Sequence, residues 1–300
     1  MSAQNAAAYA APEHDAVRRA LEPAFFARLL PRLLARAGGG RILDLGCGDC
    51  LAARLAGPAL TGYTGVDHRA LEDPVPGNLV HHDLAEGLGP VGREPFDLYL
   101  GTFGVASHLG PAELRSLLYD IADHARPGSL VALEALGLHS LEWPGLWDTA
   151  PGCARTLNYR LRHDVEVHPW SARELSGLHE AAGIQPLFAL DRSAQTGPKT
   201  GDAGLWPGVP ALRTAMNALL EDAGAPPGQA RATLAQPLPP LPAGAAAAVH
   251  HSLALRRRDL LEHPDHETMD GVDLAHAIWA LEPRSGGGFG HGLTVVGRVS

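Results

Sequence analysis

The sequence predicts an α/β fold: a doubly wound parallel sheet of seven strands with a helical insertion before the last one. Three observations predict it. Short apolar runs ending in an acid or a glycine alternate with stretches of helical periodicity, the pattern of strands joined by crossover helices. Arg41-Ile42-Leu43-Asp44-Leu45-Gly46-Cys47-Gly48-Asp49 reads as a buried strand turning through two glycines into a helix. A final apolar run, 292–299, stands apart from the alternating part behind a long excursion, 193–289.

Taken in order, 12–36 reads as helical, with Val17, Leu21, Phe25, Leu29, Leu33 and Leu34 on the apolar positions and with Pro23 and Pro31 cutting it into pieces. Strand one is 41–45, followed by a helix through Leu51 and Leu55. Strand two is 60–66 and leads into Asp67; strand three is 78–82 and leads into Asp83. Strand four, 96–102, ends in Gly101-Thr102. An amphipathic helix after Pro111 puts Leu114, Leu117, Leu118 and Ile121 on one face, and Pro127-Gly128 stops it. Strand five is 129–134, ending at Glu134. Ser171-Ala172-Arg173-Glu174 is a capping box that opens a helix ending near Gly183. Strand six is 184–190 and strand seven 292–299. The organisation expected is a helical segment over 1–37, a sheet domain over 38–192, an insertion over 193–289 and the closing strand in 290–300. The insertion reads as helical at 210–222, 244–262 and 271–282, around a Pro-rich stretch at 236–242. An excursion this long carries its own structure or is disordered. Lid, spacer and oligomerisation element are all compatible with it.

A chain of 300 residues with 45% hydrophobic content buries a full α/β core. The first residues lack the basic start and apolar core of a secretory signal, and no uncharged run approaches the ~20 residues that span a bilayer. Three cysteines make no disulfide framework, so a cytoplasmic location is expected. The net charge is −9, Lys199 is the only lysine, and aromatic residues make up 5%. That balance offers neither the basic face nor the stacking platforms of a nucleic-acid enzyme. The tightest basic run, Arg256-Arg257-Arg258, reads as a solvated helix face. Histidine is abundant, but His81-His82, His250-His251 and His263-Pro264-Asp265-His266 lack ligand spacing on one element, so no metal is expected.

The glycine loop has competing readings. A nicotinamide fingerprint needs a third glycine where this chain has Leu51. Cys47-Gly48-Asp49-Cys50 is formally C-x-x-C, a redox pattern, although the glycines already explain the loop. The segment as a whole resembles the D/E-x-G-x-G signature of class I methyltransferases that use S-adenosylmethionine, with Cys50 where that loop often has a third glycine. The resemblance covers roughly 38–192 and 290–300. It implies a Rossmann-like, mostly parallel sheet whose seventh strand is reversed beside the sixth, and S-adenosylmethionine as cofactor.

In an open α/β sheet ligands sit at the carboxyl ends of the strands, where strand order reverses. Acids stand there after three successive strands. The resemblance implies that Asp44, Gly46, Cys47 and Gly48 hold the amino-acid end of the cofactor. It implies Asp67 at the ribose, Asp83 and Leu84 at the adenine, and His68 and Thr102 as further cofactor-binding residues. A hydroxyl acceptor needs a base, and His108 and Glu134, each just past a strand end, are the two catalytic candidates. His108 alternatively packs beside Leu109, and Glu134 alternatively binds a substrate amine or caps a backbone amide. Trp143 and Trp147 either wall an acceptor pocket or belong to the core. Cys153 lacks the context of a pyrimidine-methylating nucleophile, and no Pro-Pro-aromatic signature of amine-methylating base enzymes follows strand four. The expected function is methyl transfer to oxygen or nitrogen of a small molecule, with neither nucleic acid nor membrane as partner. A non-catalytic partner or sensor protein that binds the cofactor, and a nicotinamide oxidoreductase, are the alternatives.

Overall fold

The computed structural model describes residues 15–69, 77–150, 155–160, 164–196, 209–221, 227–238, 240–266, 268–282 and 286–300. Cys153, Lys199, Pro239 and the first positions of the predicted N-terminal helix lie outside them.

A π-helical turn, Val17–Leu21, runs into helix α1, Glu22–Ala37. This is a departure from the expected break. Pro23 falls in the first turn, where its missing N–H is not needed, and Pro31 is carried inside the helix. The burial of Leu29, Leu30, Leu33 and Leu34 outweighs the one backbone bond Pro31 forgoes. There follow β1 (Arg41–Leu45), α2 (Leu51–Ala56), β2 (Gly62–Asp67), β3 (Asn78–His81), β4 (Leu98–Gly101), α3 (Pro111–His124) and β5 (Leu130–Leu136). A hairpin of β6 (Leu157–Arg160) and β7 (Asp164–Val167) comes next, then α4 (Ala172–Ala181) and β8 (Ile184–Arg192). Four helices, α5 (Val209–Glu221), α6 (Pro227–Ala235), α7 (Ala245–Glu262) and α8 (Gly271–Trp279), precede β9 (Gly292–Val299). The hairpin and α6 are absent from the sequence reading.

The sheet order is β3-β2-β1-β4-β5-β9-β8. Strands β1 to β5 pair in parallel, and β9 runs antiparallel to both β5 and β8. The reversed last strand is the one expected. Side chains alternate across the strands and sort into two layers. Ile42, Leu98, Leu100, Leu130 and Ala132 pack against α1 and α2. Leu43, Tyr99, Val131, Leu133 and Val295 pack against α3 and α4. Strand order reverses between β1 and β4, which opens a crevice at their carboxyl ends. Strand β8 ends on that side of the sheet and β9 begins there, so α5–α8 leave from it and return to it. These helices share a separate apolar core with Val17, Leu21, Leu141 and Trp147. Among the described residues, no helix is long and apolar enough to cross a membrane.

Candidate active site

The glycine loop is built as its sequence requires. Gly46 and Gly48 take φ of +65° and +54°, and Cys50 follows at +56° in the same left-handed region. Cys50 therefore holds a glycine-like conformation at the start of α2. Both loop thiols are buried, and burial raises their pKa first of all. Burial thus disfavours the thiolate form that a nucleophile or redox centre would use.

Asp44 lies in β1 between Gly65 and Leu100 on the neighbouring strands, and is 2% exposed. Tyr63 donates its hydroxyl to Asp44 Oδ2 at 2.6 Å, while Oδ1 is buried with no hydrogen-bond partner among the described residues. Burial pushes the carboxyl up to about 7; the Tyr63 hydrogen bond opposes this, and Asp49 and Asp67 add to it. A buried acceptor without a donor is costly, and a ligand ammonium is the group that would satisfy this one.

Asp67 ends β2. Its Oδ2 accepts the Gly48 N–H at 2.8 Å, and its Oδ1 accepts the Arg69 N–H at 2.9 Å and Nε at 3.1 Å. Burial tends to raise this carboxyl, but the Arg69 and Gly48 donors outweigh it and the net shift is downward. His68 Nδ1 lies 3.4 Å from Asp67 Oδ1, and burial is the main cause that lowers its pKa. Asp83 accepts from the Ala85 N–H at 3.0 Å and so starts a short 3-10 turn that buries Leu84. Arg69 lies against Asp67 and near Gly48, where a ribose reaching that carboxylate would have to move it aside. Beyond β4, Thr102 and Phe103 line a small apolar cleft together with Phe26, Leu30 and Leu51.

The structure brings Asp44, the loop and Asp67 together, and it gives three other predicted residues structural partners. Glu134, 1% exposed, accepts from Arg192 Nη2 on Oε1 at 2.5 Å and from Arg192 Nε on Oε2 at 3.2 Å. Buried and paired through both oxygens with one guanidinium, it has a structural role as an ion-pair partner beside the role of base expected from the sequence. Trp143 is buried against Leu136, Val165 and Val167, and its indole donates to the Gly137 carbonyl at 2.9 Å. Trp147 donates to the Ser140 carbonyl at 2.9 Å and stacks on His250 of α7 at 5.3 Å. Of the two readings the sequence left open for these tryptophans, both residues are placed among packed neighbours, in keeping with the core reading. His108 follows a 3-10 turn beyond β4, half-buried, with its N–H on the Val105 carbonyl.

Sequence reasoning missed Arg192. It bonds Glu134 and, through Nη1 at 3.1 Å, Glu22. Arg213 of α5 bonds Asp15 at 2.6 Å and the same Glu22 at 3.2 Å, and Arg18 reaches Glu22 at 3.4 Å. Three carboxylates thus face three guanidiniums, joining the N-terminal segment, the sheet and the insertion. Glu142 and His291, 2.5 Å apart and both buried, form a further pair past β5. These partners are far apart in sequence, and no local pattern announces them. Among the described residues, no group of three His, Cys, Asp or Glu is placed to hold a metal.

The Asp44 geometry has a testable consequence. An ammonium is met by an ionised carboxylate, so affinity for S-adenosylhomocysteine is expected to rise as pH increases toward about 7, where Asp44 loses its proton. Tyr63→Phe removes a donor that lowers this pKa and should move the rise to higher pH. Asp44→Asn should remove it. Calorimetric titration across pH 5 to 8 reads all three.

No protein-family model matches the chain, and no curated protein sequence matches it. Among solved structures, an S-adenosylmethionine-dependent methyltransferase from Archaeoglobus fulgidus aligns over 92% of this chain and 94% of its own, at 15% identity and a TM-score of 0.45. One from Clostridium acetobutylicum aligns over 58% and 86%, at 12% identity and 0.45. The 1,6-didemethyltoxoflavin N1-methyltransferase of Burkholderia thailandensis aligns over 59% and 71%, at 18% identity and 0.41. Scores this low carry no functional argument. The fold rests on the chain's own strand order, a mostly parallel seven-stranded Rossmann-like sheet with its last strand reversed, as in the class I methyltransferases.

Proposed function

We infer that this protein is an S-adenosylmethionine-dependent methyltransferase that acts on an oxygen or nitrogen of a small molecule. The observation that carries this reading is Asp44: a buried carboxylate with one unpartnered oxygen, beside a two-glycine loop at the point where strand order reverses. A pyrophosphate would be repelled by that charge, whereas the ammonium of an amino-acid group would be held by it. Asp44 and the Gly46–Gly48 backbone would bind the amino-acid end. Asp67 would take the ribose hydroxyls once Arg69 withdraws, and Asp83 with Leu84 would border the adenine. When bound, the cofactor supplies a methyl group already activated on a sulfonium.

The chain's own residues then have to orient the acceptor, exclude water and, for a hydroxyl, remove a proton. Once Glu134 is committed to Arg192, His108 is the better placed of the two predicted bases. With a hydroxyl acceptor, His108→Ala is expected to lower kcat by about 10²–10⁴-fold with little change in cofactor affinity. With an amine acceptor presented neutral, the loss should be small. The low content of basic and aromatic residues supports a small acceptor over nucleic acid.

The test is transfer of labelled methyl from S-adenosylmethionine into a cell extract split into small-molecule, protein and nucleic-acid fractions. Label in the small-molecule fraction that Asp67→Ala abolishes supports the reading. Label confined to protein or nucleic acid overturns the acceptor class. Binding with no transfer to any fraction favours the non-catalytic alternative.

A further inference from the structure

The basic run read from sequence as a solvated face is not one throughout: Arg257, at its centre, is 1% exposed. Its Nε donates to the carbonyl of Leu234 at 2.8 Å, near the end of α6, and its Nη1 donates to Gln195 Oε1 at 3.1 Å. These bonds dock α7 onto α6 and onto the turn after β8, and a structural role explains them. They do not explain the rest. Among the described residues, Nη2 is buried with no partner, as are Nε2 of the same Gln195 amide and Oγ1 of the adjoining Thr196. Gln195 and Thr196 are 1% and 0% exposed.

The contrast with the other buried arginines is informative. Arg192 and Arg213 each meet two carboxylates. Arg257 meets none among the described residues, and burial alone brings its guanidinium down to about 10, still charged at neutral pH. Buried charges are normally paired, and buried donors are normally satisfied. Here a cation without a carboxylate, the amide it is bonded to and the hydroxyl of the next residue all keep unused donors where the chain leaves the carboxyl end of β8. Planar guanidinium donors match an oxyanion in geometry as well as in charge.

We propose that Arg257, Gln195 and Thr196 form a binding site for an oxyanion, a carboxylate or a phosphate monoester, carried by the methyl acceptor. The acceptor part of this statement rests on the methyltransferase reading; the anion site itself does not. All three atoms are out of solvent contact, so entry requires α7 to draw back from the turn after β8.

The experiment titrates inorganic phosphate and, separately, acetate into the full chain without cofactor, at ionic strength held constant with chloride, following melting temperature and heat. Thr196→Val, which keeps the shape and removes the hydroxyl, and Arg257→Gln are run beside the wild type. A saturable rise in melting temperature over the chloride control, with affinity at least about tenfold weaker in both variants, supports the site; a tenfold loss corresponds to about 1.4 kcal/mol. Preference for phosphate or for acetate identifies the source of the anion. Thr196→Val decides the matter if Arg257→Gln does not fold. No response above chloride, or equal responses in wild type and Thr196→Val, overturns the proposal. Anion binding without methyl transfer in the extract assay would leave the site standing and remove its assignment to an acceptor.

Discussion

Arg192→Ala is expected to destabilise the protein by about 3–5 kcal/mol, the cost of breaking a buried ion pair from one side. The residue is 1% exposed and bonds Glu134, also 1% exposed, and Glu22, at 0%. Truncation would leave the Glu134 carboxylate with only the Thr294 hydroxyl at 3.4 Å, in a place water does not reach. Glu22 would keep Arg213 and Arg18. The loss should therefore fall mainly on the junction of β5 and β8, with the N-terminal segment held more weakly. Urea denaturation of the wild type, Arg192→Ala and the Arg192→Ala/Glu134→Ala pair checks this. If the orphaned charge is the cause, the double variant recovers part of the stability. An effect under about 1 kcal/mol would show that the pair contributes little.

Asp67→Ala is expected to weaken S-adenosylhomocysteine binding by about 100-fold or more, since two hydrogen bonds to a charged acceptor are worth about 3 kcal/mol together or more. The same change frees the Gly48 N–H and the Arg69 side chain, both held by this carboxylate. Asp67→Asn separates the contributions, because it keeps one acceptor oxygen and loses the charge. Arg69→Ala should act in the opposite direction and tighten binding, because it removes the group that lies against the carboxylate. Isothermal titration of the four proteins measures this directly. Unchanged affinity in Asp67→Ala would place the nucleoside elsewhere.

The sheet was legible in the sequence because its information is local. Apolar runs, glycines and strand-end acids mark β1 to β5, and a capping box marks α4: Ser171 Oγ accepts from the Glu174 N–H at 3.2 Å, and the Glu174 side chain accepts from the Ser171 N–H at 3.1 Å. The grouping of Asp44, Gly46, Gly48 and Asp67 was legible for the same reason, as they lie within one βαβ unit. The acceptor side was not. Glu134 stands at the expected end of strand five and looked available, but Arg192 reaches it from a strand paired through β9. The spacing of Trp143 and Trp147 left pocket wall and core open, because their surroundings come from the distant β6–β7 hairpin and from α7. Helix α6 has almost no apolar periodicity and is held by tertiary packing through Ala230 and Leu234. Arg257 was hidden in a run that charge patterning assigns to solvent.

The central claim is that the crevice between β1 and β4 receives S-adenosylmethionine. It is tested most directly by titrating the wild-type protein at neutral pH with S-adenosylhomocysteine and, in parallel, with NAD. The account predicts saturable one-site binding of S-adenosylhomocysteine, lost in Asp67→Ala, and no comparable binding of NAD. Binding of NAD without S-adenosylhomocysteine would contradict it and return the glycine loop to a dinucleotide role.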